Sequence, residues 1–267
     1  MNLKNFQCYL IQLFYHKKYP FKNSIAIDVT SRCNLKCLNC QASCRQAPSD
    51  ESISVEQINK FINKAIKLNY RWAHLDLYGG EPTLHPRFEE IIKSIKRYKD
   101  FNPGCTINII SNGTGPYVKN ALSKLPNWVK RPLWNQDKGF RFEKKKYRQA
   151  FDSYNIAPID LFKYKLFTDF SKGCWRIKIC HGLALSRYGF YPCTPGASID
   201  RVFGFDIGIK RLEDVNEKAL RDQMKILCKY CGFFQEPNQE VTKEEASISW
   251  KKAYEEYQKQ KPDLSLY

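Results

Sequence analysis

Strand and helix patterns alternate through the first half of this chain, and that order restricts its fold more than any single motif does. Ile25-Ala26-Ile27-Asp28-Val29 reads as a short, mostly buried strand, His74-Leu75-Asp76-Leu77-Tyr78 as a second, and Thr106 to Ile110 as a third. Between the first two, Ser52 or Ser54 caps a helix predicted from about Val55 to Leu68, with Ile58, Phe61, Ile62, Ala65 and Ile66 on one face. Phe88 to Tyr98 reads as helix with Ile91, Ile92 and Ile95 inward, and Val118 to Leu125 as another. Strands alternating with helices pair in parallel through right-handed crossovers. At about 30 residues per unit, the stretch from Ile25 to about Asp169 holds five or six units, short of the eight that close a full barrel. The expected fold class is α/β, a partial (β/α)5-6 barrel.

From Cys174 onward the pattern changes. Leu183-Ala184-Leu185-Ser186 and Phe190-Tyr191 flank Arg187-Tyr188-Gly189 as a hairpin, and Leu212 to Leu227 reads as a helix running into Cys228-Lys229-Tyr230-Cys231. The tail from Pro237 is polar, ends in a charged helix and looks peripheral. Four segments are expected: an N-terminal helix over 1–23, the barrel over 24–170, a small cysteine-rich extension over 171–236 and the tail over 237–267.

Composition narrows the class. Hydrophobic residues at 43% and aromatics at 14% exclude a disordered chain. A mean hydropathy of −0.55, with no unbroken apolar run of about 18 residues, excludes an α-helical membrane span. The reading is of a soluble, cytoplasmic protein without a secretory leader. Its net charge of +17 is spread along the chain. The densest basic stretch, Lys138 to Arg148, interleaves Phe140, Phe142 and Tyr147 with six cations, a pattern that suits a loop over a phosphorylated ligand or single-stranded nucleic acid.

Eleven cysteines in such a chain point to metal or redox chemistry. Cys33, Cys37 and Cys40 stand at C-x3-C-x2-C directly after the first strand, where parallel α/β folds carry their chemistry. Three thiolates in one short loop suit a cuboidal iron–sulfur cluster and leave one metal corner free of protein. A structural zinc site would want four protein ligands, with Cys44 available as the fourth.

This loop resembles that of the radical S-adenosylmethionine (SAM) superfamily. The resemblance implies a [4Fe-4S] cluster whose open iron binds the amino and carboxylate groups of SAM, and whose electron cleaves SAM to a 5′-deoxyadenosyl radical. It assigns Cys33, Cys37 and Cys40 to that cluster. Gly79-Gly80-Glu81-Pro82-Thr83, after the second strand, looks like the motif that receives the methionine amino group. Two glycines admit a ligand close to the backbone, and Glu81 suits an ammonium. Ser111-Asn112-Gly113, after the third strand, looks like the polar cluster that contacts the SAM ribose and carboxylate. Many members carry an aromatic residue where this chain has Asn39, whose side chain offers a polar contact instead.

Cys180 through Cys193 resembles the hairpin of SPASM and shortened "twitch" extensions, which hold auxiliary iron–sulfur clusters. With Cys228-x2-Cys231 it implies one further four-cysteine cluster, Cys180 being the preferred fourth ligand and Cys174 its substitute; a zinc ribbon on the same thiols is the alternative. Cys8, Cys44 and Cys105 read as buried free thiols. His181 adjoins a ligand, His85 shapes a turn, Asp28 on the first strand is expected to point into the barrel, and Tyr78, Asp160 and Trp175 are candidate substrate contacts. No P-loop, GxSxG elbow or HExxH motif occurs. The expected activity is hydrogen abstraction from a small polar metabolite such as a sugar, cyclitol or nucleotide derivative, with net oxidation through the auxiliary cluster. An external electron donor of the flavodoxin or ferredoxin type serves it. The alternatives are a peptide- or protein-modifying radical SAM enzyme and, in another class, a metal-stabilised nucleic-acid-binding protein.

Overall fold

A computed structural model describes residues 23–131, 154–161, 168–174, 177, 182–234 and 246–267. The expected N-terminal helix, the Lys138 to Arg148 stretch, Trp175, Cys180 and His181 lie outside the described residues.

The first half follows the sequence pattern. Strand β1 (Ser24–Thr30) leads through the cysteine loop to helix α1 (Val55–Lys67), then β2 (His74–Gly79), α2 (Phe88–Phe101), β3 (Thr106–Ile109), α3 (Pro116–Ser123) and the short β4 (Val129–Lys130). A capping box starts α1, with Ser54 accepting from the Gln57 amide and the Gln57 side chain accepting from the Ser54 amide. Strands β1 to β4 pair in parallel. Alternation sorts their side chains by face. Ile25, Ile27, Val29, Leu75, Leu77, Ile107 and Ile109 enter one core with Ile58, Phe61 and Ile62 of α1 and Ile91 and Ile95 of α2. Asp28, Asp76, Tyr78 and Asn108 therefore belong to the opposite face.

The hairpin is placed differently from the expectation. Its strands β5 (Ala184–Ser186) and β6 (Gly189–Tyr191) continue the same sheet, whose order is β4-β3-β2-β1-β5-β6. β5 lies parallel to β1, with Ala26 opposite Ala184 and Ile27 opposite Leu185, and only β6 is antiparallel. The sheet thus crosses the boundary expected near residue 170. The reason is in the pattern: Leu183 and Leu185 are fully buried in the main core, where they complete the far side of β1. β1 is thereby central, and the chain leaves it on one side to β2 and returns on the other as β5. That is a switch point, where open α/β sheets form their clefts.

Two further differences concern helices. Helix α4 (Thr194–Phe203), not expected, begins at Cys193. The helix predicted from Leu212 starts later, as α5 (Glu217–Leu227), because the Asn216 side chain accepts from the Ala219 amide and caps it there. The tail is not peripheral. Helix α6 (Ile248–Lys259) buries Trp250, Ala253, Tyr254 and Tyr257 in a second core with Tyr154, Tyr191 and Ile199. Tyr267 then returns to the main core edge-on to Phe190. No helix among the described residues is long and apolar enough to cross a membrane.

Candidate active site

The site is built from three loops at the C-terminal ends of β1, β2 and β3. At the end of β1 the register slips between Asp28 and Thr30, a bulge of the kind that re-aims a strand into a site. The glycine pair of β2 closes against this bend. A side-chain carbon on Gly79 would stand 2.3 Å from the Thr30 carbonyl, and one on Gly80 would stand 2.2 Å from the Arg32 carbonyl and 2.9 Å from Cβ of Cys33. Only glycine fits in either place. The close approach is used: the Gly80 amide donates to Thr30 O (2.7 Å) and the Glu81 amide to Arg32 O (2.8 Å).

Glu81 ties the second loop to the third. Its carboxylate, wholly buried, accepts from Thr83 Oγ1 (2.7 Å), the Thr83 amide, Ser111 Oγ (2.9 Å) and the Asn112 amide (2.8 Å). The third loop reaches the first through Asn112 Nδ2 to Asn34 Oδ1 (2.8 Å) and Asn34 Nδ2 to Thr114 O (2.7 Å). The structure therefore brings together Gly79, Gly80, Glu81, Ser111 and Asn112. It also gives Glu81 a role that sequence reasoning missed, as the shared acceptor of two loops. Both of its oxygens are engaged within the protein, so here it braces the loops.

The cysteine loop concentrates thiols. Cys44, expected to be a free buried thiol, lies among Cys33 and Cys40: its hydrogen bonds lower both of their thiols, Cys40 to about 7, while burial and these two neighbours raise its own. Cys33 Sγ also accepts from the Leu35 amide at 3.4 Å. Among the described residues no three such groups sit as ligands to a single metal ion, whereas a cuboidal cluster spreads its thiolates over separate irons. Soft thiols, two of them eased toward thiolate, and a glycine cradle against Cys33 fit an iron–sulfur cluster. A cleft of about 480 Å³ opens beside Cys33, with Arg32, Cys44, Pro48, His85 and Tyr117 in its walls. His85 accepts from the Arg87 amide at Nδ1 and contacts Ile53 O through Nε2, so it shapes the turn as anticipated.

The radical SAM superfamily profile matches residues 27–130, and these are the three loops just described. Residues 27–130 form a radical SAM domain. A probable GTP 3′,8-cyclase of Methanococcus maripaludis is 33% identical over 73 residues, covering 27% of this chain and 24% of that protein. One from Methanocaldococcus jannaschii is 30% identical over 104 residues, covering 38% and 32%. The chain thus matches about a quarter to a third of these curated relatives' length. A crystal structure of BtrN in complex with AdoMet and 2-DOIA aligns over 84% of this chain and 96% of that one at 16% identity, with a TM-score of 0.44, too loose a likeness to argue from. Radical SAM domains take a [4Fe-4S] cluster and SAM.

Beside the radical SAM domain stands a second group of thiols. Cys228, at the end of α5, is buried, and its thiol is pushed well up by desolvation and by the charges of Cys174, Cys193 and Cys231 around it. Cys193 stands at the N-cap of α4. Gly173 is held at φ +65°, where a side-chain carbon would strike Ile177 and Met224; this turn delivers Cys174 to α5. Cys105 is a buried free thiol, raised to about 11 by desolvation.

On the inner face of the radical SAM domain, Asp28 and Tyr78 are register partners on β1 and β2. Asp28 Oδ1 and the Tyr78 hydroxyl are both buried without a hydrogen bond of normal geometry. Burial raises the Asp28 carboxyl to about 7, partly offset by Arg201. Asn39 is fully buried in a left-handed turn (φ 49°), its Oδ1 3.5 Å from Asn155 Nδ2. Asp160, expected at the substrate, instead accepts from the Ser249 amide (2.9 Å) and hydroxyl (2.6 Å) and anchors the start of α6.

Proposed function

We propose that this chain is a radical SAM enzyme acting on a small polar metabolite, with Cys33, Cys37 and Cys40 holding the SAM-binding cluster and a second cluster beside the domain. The observation that carries the reading is the Glu81 bridge between the second and third strand-end motifs, which the Asn34–Asn112 contact extends to the cysteine loop. When bound, the cluster and SAM supply reductive cleavage of SAM and hydrogen abstraction by the radical released.

The protein's own residues have other tasks. Gly79 lets the second loop close on Thr30 and Gly80 lets it close on Arg32 and Cys33, and Glu81 holds Ser111 and Asn112 where SAM would be received. Asp28 Oδ1 and the Tyr78 hydroxyl, buried without a hydrogen bond of normal geometry, offer an acceptor and a donor to a substrate rich in polar groups. The nucleotide in the name of the GTP 3′,8-cyclases belongs to the same broad substrate class. Cys193, Cys228 and Cys231 with Cys174, the substitute for Cys180, are proposed as the auxiliary ligand set; the charges of the other three act on Cys228. Such a cluster would accept the electron that a net oxidation must lose, and an external donor would supply the electron for cleavage.

The test is metal content and SAM turnover. After anaerobic reconstitution, about eight irons and no zinc per chain are expected, with 5′-deoxyadenosine released on reduction. Cys33→Ala should abolish that release. Zinc alone, or full release from Cys33→Ala, would sink the reading.

A further inference from the structure

Arg201 projects from α4 into the cysteine loop and is almost wholly buried. Its Nη1 donates to Ala47 O (2.9 Å) and to the Tyr257 hydroxyl of α6 (2.6 Å), and its Nη2 donates to Ala42 O (3.0 Å). The two carbonyls bracket the segment that carries Cys44 and follows Cys40. The guanidinium also lies 5.3 Å from the centre of the Tyr257 ring. A water-sized cavity of about 20 Å³ borders it, shared with Asp28, Glu51, Ser186 and Tyr188.

What this arginine lacks is a partner of opposite charge. Among the described residues no carboxylate forms an ion pair with it; Asp28, Glu51 and the thiols of Cys40 and Cys44 act on it only through their fields. A buried guanidinium without a counter-ion is costly, and backbone carbonyls answer its hydrogen bonds but not its charge. The groups that would answer the charge are thiolates in the loop it brackets.

We propose that Arg201 is a positioning residue for the cysteine loop, and that its buried charge, set beside the segment that follows Cys40, raises the reduction potential of the cluster held by Cys33, Cys37 and Cys40. The inference rests on the proposed function. The physical basis is general: a fixed positive charge in a low-dielectric interior favours the reduced cluster, which carries one more negative charge.

The experiment is a redox titration of the reconstituted protein, following the cluster signal that changes when SAM is added. Arg201→Gln keeps a hydrogen-bonding amide and removes the charge; Arg201→Lys keeps the charge and loses the planar fork. The expected result is a more negative midpoint potential for Arg201→Gln at wild-type iron content, and a wild-type potential for Arg201→Lys. Equal potentials in all three proteins, or an equal fall in both variants, would overturn the inference. Should Arg201→Gln fail to fold, Arg201→Met takes its place as the variant without the charge: a potential below that of Arg201→Lys supports the inference and an equal one overturns it. A wild-type protein that takes up no iron at the loop refutes the proposed function instead, and does so before any variant is compared.

Discussion

Two buried carboxylates at the site are held in opposite ways, and each yields a measurement. Glu81 is surrounded by donors, four of them within hydrogen-bond distance. Glu81→Ala leaves those donors buried without an acceptor, which costs roughly 3 kcal/mol; Glu81→Gln, which keeps one acceptor oxygen, should cost less. Urea midpoints of the iron-free proteins check the order, and equal midpoints for wild type and Glu81→Ala would refute the bracing role. Asp28 has no such support, and its carboxyl is raised to about 7 by burial, with Arg201 opposing and Cys40 and Glu51 adding to the rise. Between the ordinary value of 3.8 and about 7 the folded protein keeps a proton that the unfolded chain releases. Stability from this group is therefore full below pH 3.8 and falls as pH rises to about 7. The whole effect is on the order of 4 kcal/mol. Asp28→Asn should remove that part of the slope, read from denaturant midpoints of the iron-free protein across this window.

At the scale of elements, how much was legible depended on whether neighbours in space were neighbours in sequence. The strands β1 to β3 and the helices α1 and α2 follow from periodicity within a dozen residues, and Gly79-Gly80, Glu81 and Ser111-Asn112 follow from their position at strand ends. The placement of β5 was not legible. A three-residue strand with a tight turn reads as a hairpin whatever sheet it joins, and the partner of Ala184 is Ala26, far back in the chain. Cys44 is the free thiol that its sequence suggested, but although it lies close in sequence to Cys33 and Cys40, only the fold of the loop shows that it turns back among them. The polar tail misled because its average character hid the four residues that α6 buries. Trp250, fully buried with its Nε1 donating to Tyr230 O at 2.7 Å, is the element's anchor. Trp250→Ala should cost about 3–5 kcal/mol, seen as a lowered melting temperature; a loss below about 1 kcal/mol would mean that α6 only rests on the surface.

In the whole molecule, α4 links the two groups of thiols. Cys193 opens this helix beside the second group, and Arg201 on its last turn reaches the first. Replacing Cys228 and Cys231 together by alanine should reduce bound iron by about one four-iron cluster while leaving SAM cleavage uncoupled from substrate. Unchanged iron would show that the second group of thiols binds none.

The position of β5 also governs how this protein emerges from the ribosome. β1 is made early, but one of its edges has no partner until Ala184 and Leu185 arrive. At about 5–20 residues per second that edge waits on the order of ten seconds or more, with the cysteine loop attached and the strand's apolar side incompletely covered. An unpaired edge is a template for the wrong strand, so a chain cut short before β5 should collect in inclusion bodies even though every residue matched to the radical SAM superfamily has already been made.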